Sequence, residues 1–314
     1  MNRTRGKVAE TVRVQRDGFA AYGLRTDHLE LLVIPELGAS IVSLRSMRTE
    51  REWMWMRPDR AGLYTNLFGD AFEQSPLAGA VECIPTIAAC TVSGRVMPDH
   101  GEAWSLAWNL DEPAFSQGTI STSVRLPVSG LELSRRIRLD GPVARLEYGV
   151  FNPSTQTVPY LWAFHPLLAV DGGDRIEVPA SITQVRVTDS QGYAIPAPQG
   201  LWNWPEALPG VRLDAIDPNR FSHSFAKLFA DYSTCEHGCA ALCRGAERLE
   251  FRFDTKEISC VGLWITQGGW HGFTHVAIEP TTHASDSLDD ARRLLAPMES
   301  HSWRFDLALC SVTE

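Results

Sequence analysis

Several features that would assign a chain to a special class are missing from this 314-residue sequence. No run of about 20 apolar residues is present, so no membrane-spanning helix is predicted. The longest apolar stretch, residues 29–44, is interrupted by Glu30, Pro35 and Glu36. The N-terminal residues lack an apolar signal core, and the 7 cysteines are too sparse and odd in number for a disulfide framework. We therefore expect a cytoplasmic protein.

Basic residues are fewer than acidic ones. The chain has 29 Lys and Arg against 38 Asp and Glu, which gives a net charge of −9. Nucleic acids and anionic membranes bind clustered cations, so neither partner is expected. Internal repeats and low-complexity segments are absent as well, and 44% of the residues are hydrophobic. This composition is typical of an ordinary globular protein with a large core.

Helical periodicity is scarce, whereas apolar and polar residues alternate with a period of two in many segments. Such alternation predicts half-buried antiparallel strands. The clearest cases are residues 131–140, 143–150, 249–253 and 303–309, and the turn Asp140-Gly141-Pro142 predicts a hairpin between the first two. Arg135 is the one charged residue on the apolar side of its strand. Shorter strands are predicted at 29–34, 39–44, 119–126, 175–179, 259–266 and 273–279.

The best helical segment runs from Asp286 to Leu295, with Ser285 or Asp286 as its cap and Pro297 after its end. Many short strands and few short helices favour an all-β sandwich. Because strand patterning continues in one style along the chain, residues 1–314 are interpreted as a single domain.

Three segments stand out as candidates for a functional site. The first is 98–104 (PDHGEAW), a loop that contains His100 and follows residues 82–86. The second is 160–171, an apolar run interrupted by His165. A histidine there is either a hydrogen-bonded core residue or a partly desolvated acid or base. The third is 273–280, in which His275, Ala277 and Glu279 share one face of a strand.

The carboxylate of Glu279 in the third segment has two possible interpretations. Burying Glu279 among apolar residues is costly, so it is either half of a buried salt bridge or a functional group. The 9 histidines and 10 tryptophans favour a sugar ligand, because aromatic rings stack on the apolar faces of sugars. Most of the tryptophans are nevertheless expected to be packing residues.

In their order and character, these three segments resemble the aldose 1-epimerase (galactose mutarotase-like) superfamily, in a divergent branch. The resemblance includes 99–102 (DHGE), His165 with the following Asp171, and 278–280 (IEP). It extends to 285–288 (SDSL) and 302–305 (SWRF), and spans roughly residues 20–310. It implies a β-supersandwich that binds a hexose-type sugar in a cleft on one sheet, without a metal or an organic cofactor.

The resemblance also implies roles for individual residues. Glu279 would be the general base and His165 the general acid, acting as an imidazolium, on opposite sides of the sugar ring. His100 would hold the sugar or polarise the reacting oxygen. Glu82 and Trp264 are further substrate-binding candidates, chosen by their position and residue type. Mutarotation needs one proton removed from the anomeric hydroxyl and one delivered to the ring oxygen, which suits a carboxylate and an imidazole. The sugar itself, whether free, phosphorylated or acidic, is left open, and so is the oligomeric state.

Two other functions remain open at this point. A glycosidase would need a second carboxylate beside Glu279, and Glu82 or Glu102 would be the candidate. A sugar-binding or sensor protein without activity is also compatible with the fold. A metal site at 235–243, with Cys235, His237, Cys239 and Cys243, is disfavoured because no second cysteine pair completes it. No Gly-x-Ser-x-Gly motif is present, which removes the usual signature of a serine hydrolase.

Overall fold

The structure, a computed structural model, describes residues 9–92, 94–193, 199–288 and 293–311. Within these residues, strands dominate, and helix is limited to α1 (Glu112–Ser116) and two 3₁₀ turns, Phe72–Gln74 and Ala103–Ser105. The strands, in chain order, are β1 (Glu10–Arg16), β2 (Phe19–Arg25), β3 (Leu29–Ile34), β4 (Ser40–Ser46), β5 (Ala80–Cys83), β6 (Cys90–Val92), β7 (Arg95–Met97), β8 (Asn109–Leu110), β9 (Ile120–Arg125), β10 (Glu132–Asp140), β11 (Val143–Phe151), β12 (Val158–Tyr160), β13 (Ala163–Pro166), β14 (Arg175–Glu177), β15 (Gln184–Gln191), β16 (Gly200–Asn203), β17 (Glu206–Leu208), β18 (Val211–Arg212), β19 (Ser224–Asp231), β20 (Gly238–Arg244), β21 (Glu247–Phe253), β22 (Cys260–Trp270), β23 (Phe273–Thr281), β24 (Arg293–Leu295) and β25 (Ser300–Ser311).

Two large antiparallel sheets form the molecule. The first has 11 strands in the order β1-β2-β3-β4-β5-β13-β23-β22-β19-β15-β16. The second has 8 strands in the order β14-β20-β21-β25-β11-β10-β9-β8. Their inner faces share one buried apolar cluster, in which Phe164 of the first sheet meets Phe305 of the second with ring centroids 4.9 Å apart. The predicted all-β sandwich is confirmed.

The strands with the clearest alternation occur where the sequence predicts them. Residues 132–140 and 143–151 pair as the hairpin β10–β11, in register from Glu132 opposite Phe151 to Asp140 opposite Val143. Gly141 in the turn has a φ of 55°, a left-handed conformation that glycine adopts without strain. Alternation predicts these strands well because each has one face on the core and the other in solvent.

The helix predicted from Asp286 to Leu295 is wrong where the structure can be compared with it. Residues 293–295 form β24, in which Leu295 pairs with Val158 of β12. Asp286 lies in a bend whose carbonyl accepts hydrogen bonds from the N–H groups of Ile87 and Ala88. Residues 289–292 lie outside the described part of the chain. Leu295 is fully buried, so tertiary packing of this segment overrides its local helical pattern. Within the described residues, no helix is long and apolar enough to span a membrane.

Candidate functional site

A cleft of about 430 Å³ opens on the outer face of the large sheet, where strands β13, β23, β22 and β19 lie near one another. His165, His100 and Trp264 line it, so the structure brings three of the five predicted site residues together. Glu279, the fourth, lies fully buried next to His165. The lining also includes Lys227, which the sequence analysis does not single out.

Strand alternation explains why these side chains meet. On β13, Phe164 points into the core between the sheets, so His165 points to the opposite, outer face. On β23, Val276 and Ile278 belong to the core, and His275 and Glu279 therefore share the outer face. β13 and β23 are antiparallel neighbours, which puts His165 and Glu279 side by side.

The pair geometry differs from the expectation of two groups facing each other across a sugar ring. The Nε2 atom of His165 is 3.7 Å from Oε1 of Glu279. Neither Oε1 of Glu279 nor Nδ1 of His165 has a hydrogen-bond partner among the described residues. The two side chains therefore lie side by side on one face of the sheet, and each has a buried atom without a hydrogen-bond partner among the described residues.

The other oxygen of Glu279 is bound by Lys227. The Nζ atom of Lys227 lies 2.6 Å from Oε2 of Glu279 and 3.7 Å from Oδ1 of Asp286. Burial opposes the charge of Lys227, but the carboxylates of Glu279 and Asp286 outweigh it and raise its pKa above the ordinary value. Lys227 is therefore an ammonium at neutral pH, and it belongs to the site.

A sequence signal for Lys227 does exist. It is one of three lysines in the chain and lies in the strand sequence SFAKLFAD, where the flanking residues Ala226 and Leu228 are core residues. A charged residue in an otherwise apolar strand needs a partner. The sequence does not say which one, because Glu279 lies two strands away from Lys227 in the sheet and 52 positions along the chain.

Contacts within and around the loop of His100 fix the position of the His100 imidazole. Nδ1 of His100 is 2.9 Å from Oδ1 of Asp99, and Oδ2 of Asp99 accepts a hydrogen bond from the N–H of Phe72. The Phe72 ring stacks on the His100 imidazole, with centroids 4.1 Å apart. Gly101 has a φ of 73° and approaches the Ile84 carbonyl so closely that a Cβ atom would clash with it. His100 is thereby positioned with its ring centroid 5.2 Å from that of His165.

Aromatic rings form another side of the cleft around His275. Trp55 stacks on its imidazole with centroids 4.1 Å apart, and the indole N–H of Trp264 donates a 3.3 Å hydrogen bond to its Nε2. Because Nε2 accepts, the proton of the neutral ring is on Nδ1. Burial lowers the pKa of His275 to about 3, so this ring is neutral at physiological pH. Trp264 and Trp270 line the cleft next to it and offer apolar surface to a ligand.

The expected imidazolium at His165 is not what the structure supports. Burial, and then the nearby His100 and Lys227, lower the pKa of His165 well below its ordinary value. His165 is therefore a neutral imidazole at physiological pH, which still carries one N–H donor.

Glu82 is not brought to the cleft. It pairs with Phe164 in the β5–β13 ladder and so points to the inner face of the sheet. Its carboxylate accepts hydrogen bonds from Arg135 (2.8 Å), Tyr148 (2.9 Å) and Trp162 (2.8 Å), all in the core. The ion pair between Glu82 and Arg135 also explains why a charged residue, Arg135, lies on the apolar face of β10. We correct the expectation that Glu82 contacts the substrate, since the alternation of β5 directs it away.

The carboxylate pair needed for a glycosidase is likewise not found with the residues considered. Glu82 lies on the opposite face of the sheet from the cleft. Glu102 is buried, and its carboxylate accepts hydrogen bonds from the backbone N–H groups of Val128 and Ser129. Both carboxylates are committed to structure, which weakens this alternative.

Negative charge prevails along the cleft. Glu73, Asp99, Asp189 and Asp286 line it, whereas Lys227 is the one lysine and no arginine is among the described lining residues. Over the described ranges, no group of three or more His, Cys, Asp and Glu residues is arranged to hold a metal ion.

The fold defines a class: the antiparallel sandwich is that of the galactose mutarotase-like proteins. No family model matches the chain, and no curated protein matches its sequence. The chain is similar to the galactose mutarotase related enzyme of Lactobacillus acidophilus, with a TM-score of 0.66, 17% identity, and coverage of 94% of this chain and 98% of that one. It is also similar to galactose mutarotase-like proteins of Clostridium acetobutylicum (TM-score 0.65, 12% identity, 97% and 99% covered) and Lactobacillus casei (TM-score 0.61, 13% identity, 96% and 100% covered). At these identities the similarity establishes the fold.

Proposed function

We propose that the protein is an aldose 1-epimerase, which interconverts the α and β anomers of a sugar. The observation that carries the proposal is the adjacent pair formed by His165, which lines the cleft, and Glu279, which is buried next to it with Oε1 3.7 Å from Nε2 of His165. Glu279 acts as the base, and the N–H of His165 acts as a hydrogen-bond donor to the ring oxygen. The aromatic side around Trp264 and the held imidazole of His100 support a sugar ring bound above them.

The side-by-side arrangement suits the chemistry. The anomeric hydroxyl oxygen and the ring oxygen are both bonded to C1, so the two proton transfers take place next to each other. Glu279 Oε1 removes the hydroxyl proton as the bond between C1 and the ring oxygen breaks. The N–H of His165 donates a hydrogen bond to the ring oxygen, which takes up the proton held by Glu279 and becomes a hydroxyl group. Rotation about the C1–C2 bond and closure with the transfers reversed give the other anomer, so no net proton is consumed. Each positioned acid or base typically contributes about 10²–10⁴-fold to such a rate.

A neutral His165 is compatible with this role. A neutral imidazole N–H stabilises developing negative charge on a substrate oxygen in other isomerases, where the local environment likewise lowers the histidine pKa. Here burial does the same for His165. The ring oxygen of the sugar gains negative charge as the ring opens, and the N–H of His165 is the group next to it.

The charges of the cleft favour an uncharged sugar over a phosphorylated or acidic one. A phosphate carries about −1.5 to −2 charge at neutral pH and would meet the carboxylates of Asp189 and Asp286. The single ammonium, Lys227, is already neutralised by Glu279. We therefore place a free aldose ahead of a hexose 6-phosphate.

The test is NMR exchange between the α and β anomers of galactose, glucose, glucose 6-phosphate and a uronic acid, with wild type and Glu279→Gln in parallel. Acceleration of one sugar by wild type, reduced about 10²–10⁴-fold in Glu279→Gln, is the expected result. Glu236→Gln, which alters a glutamate that is 92% exposed, is the matched control and should keep the wild-type rate. Full activity in Glu279→Gln would show that Glu279 is not the general base.

A second candidate is a sugar-binding protein without activity. It is favoured by one observation: Glu279 is fully buried, and one of its oxygens is engaged by Lys227. Calorimetric titration of the same sugars separates the two functions. Binding with no acceleration of anomer exchange for the bound sugar would favour the sensor and refute the epimerase.

A further inference from the structure

We infer that Lys227 is a positioning residue, which keeps Glu279 ionised and directs Oε1 toward the substrate. This inference rests on the proposed function, because it assumes that Glu279 is the base. Lys227 would act through Glu279 and need not touch the reacting atoms itself.

The first argument is the cost of the buried carboxylate. Glu279 is fully buried, and among the described residues its side chain accepts one hydrogen bond, from Lys227. Transfer of a lone carboxylate out of water is so unfavourable that such a group takes up a proton instead. A protonated Glu279 cannot remove the proton of the anomeric hydroxyl. The ammonium 2.6 Å away supplies the charge that makes the ionised form stable.

The second argument is that the two carboxylate oxygens of Glu279 have different surroundings. Oε2 is bound by Lys227, whereas Oε1 has no partner within the described ranges and lies 3.7 Å from His165. A buried acceptor without a partner is unfavourable, so its persistence in a formed site suggests a use. Bonding at Oε2 leaves Oε1 as the free base and prevents the carboxylate from rotating.

The third argument is that the sheet is shaped to permit this contact. Lys227 on β19 and Glu279 on β23 are separated by β22, where Trp264 is opposite Lys227 and Gly262 is opposite Glu279. A Cβ atom at position 262 would lie 3.2 Å from Oε2 and 3.3 Å from Cβ of Glu279. The missing side chain of Gly262 thus leaves the space in which the ammonium and the carboxylate meet.

Other titratable groups around Glu279 do not replace the lysine. His165 on β13 is neutral, and burial raises the pKa of the Cys83 thiol on β5 well above its ordinary value, so Cys83 is neutral too. Asp286 adds negative charge next to Lys227, and His100 lines the same cleft. Lys227 is the cation in hydrogen-bond contact with the base.

The test compares Lys227→Met, Lys227→Arg and the exposed control Lys256→Met in anomer-exchange kinetics as a function of pH. At pH 7, we expect Lys227→Met to lower kcat about 10²–10⁴-fold, the contribution of a general base, with little change in KM. Its activity should recover at high pH, since loss of the neighbouring ammonium favours the protonated form of a buried carboxyl group. Lys227→Arg should restore a large part of kcat, and Lys256→Met should equal wild type. A Lys227→Met enzyme with the wild-type pH profile, or one altered in KM alone, would overturn the inference.

A measurement without substrate separates this inference from the proposed function. In protein labelled with ¹³C at the glutamate carboxyl groups, one resonance absent from Glu279→Gln reports Glu279. At pH 7 its chemical shift should move toward that of a protonated carboxyl group in folded Lys227→Met. If it does so while no sugar is epimerised, the inference stands and the proposed function fails. If sugars are epimerised and the resonance does not move, the inference fails. Gly262→Ala pushes Lys227 and Glu279 apart but keeps both charges, so it should shift the Glu279 resonance in the same direction. It provides a second test in case Lys227→Met does not fold.

Discussion

The buried ion pair between the sheets gives the sharpest prediction about stability. Glu82 lies on the large sheet and Arg135 on the facing one, and both side chains are fully buried. Glu82→Gln keeps the shape of the side chain but removes its charge. Arg135 would then be a buried cation bonded to neutral acceptors alone, the Ala39 carbonyl and the new amide.

The expected cost follows from the burial of both partners. Removal of one partner of a buried pair destabilises a protein by about 3–5 kcal/mol, because the remaining charge is uncompensated. The full value applies here, since neither side chain has solvent to screen it. For a chain of this size, about 2 °C of Tm is lost per kcal/mol, which gives a decrease of roughly 6–10 °C.

The assay is urea and thermal unfolding, with Glu82→Gln compared with Arg135→Met and the double variant. The double variant should be more stable than either single one, because it leaves no lone charge in the core. Below the unfolding transition, Glu82→Gln should keep the wild-type KM for the sugar. If Glu82→Gln lowers the free energy of unfolding by less than about 1 kcal/mol and raises KM, the reasoning is refuted and Glu82 contacts the substrate after all.

The remaining predictions concern the cleft. His275 has a folded-state pKa of about 3, below its unfolded value near 6.5, so the unfolded chain binds the extra proton first and stability falls as pH decreases below about 6.5. By pH 5 this residue alone should account for about 2 kcal/mol of lost stability, and urea titrations of His275→Asn at pH 7 and pH 5 should show a correspondingly smaller difference than wild type. Asp99→Asn removes the charge that orients His100 and should raise KM more than it lowers kcat; an unchanged KM would mean that His100 does not bind the sugar. Glucose 6-phosphate should be epimerised more slowly than glucose, with a KM that falls as salt screens the carboxylates; a KM that rises with salt would show that the cleft attracts anions.

Sequence patterning anticipates much of the fold. Alternation alone locates β10, β11, β21 and β25, because each of these strands has one face on the core and the other in solvent. It also places His275 and Glu279 on one face of β23. Local pattern fails for 286–295, since the buried contact of Leu295 overrides its helical spacing. That the chain is a single domain stays a prediction.

What only the tertiary structure decides is which distant residues meet and what charge they carry. Side-chain alternation on β5 sends Glu82 to the core, although its position next to the His100 loop suggests the cleft. Lys227 reaches Glu279 only because β22 lies between them with a glycine at the contact. The sequence lists the ionisable groups, but a protonation state depends on desolvation and on neighbours a few ångströms away, and both exist only once the sheet has formed.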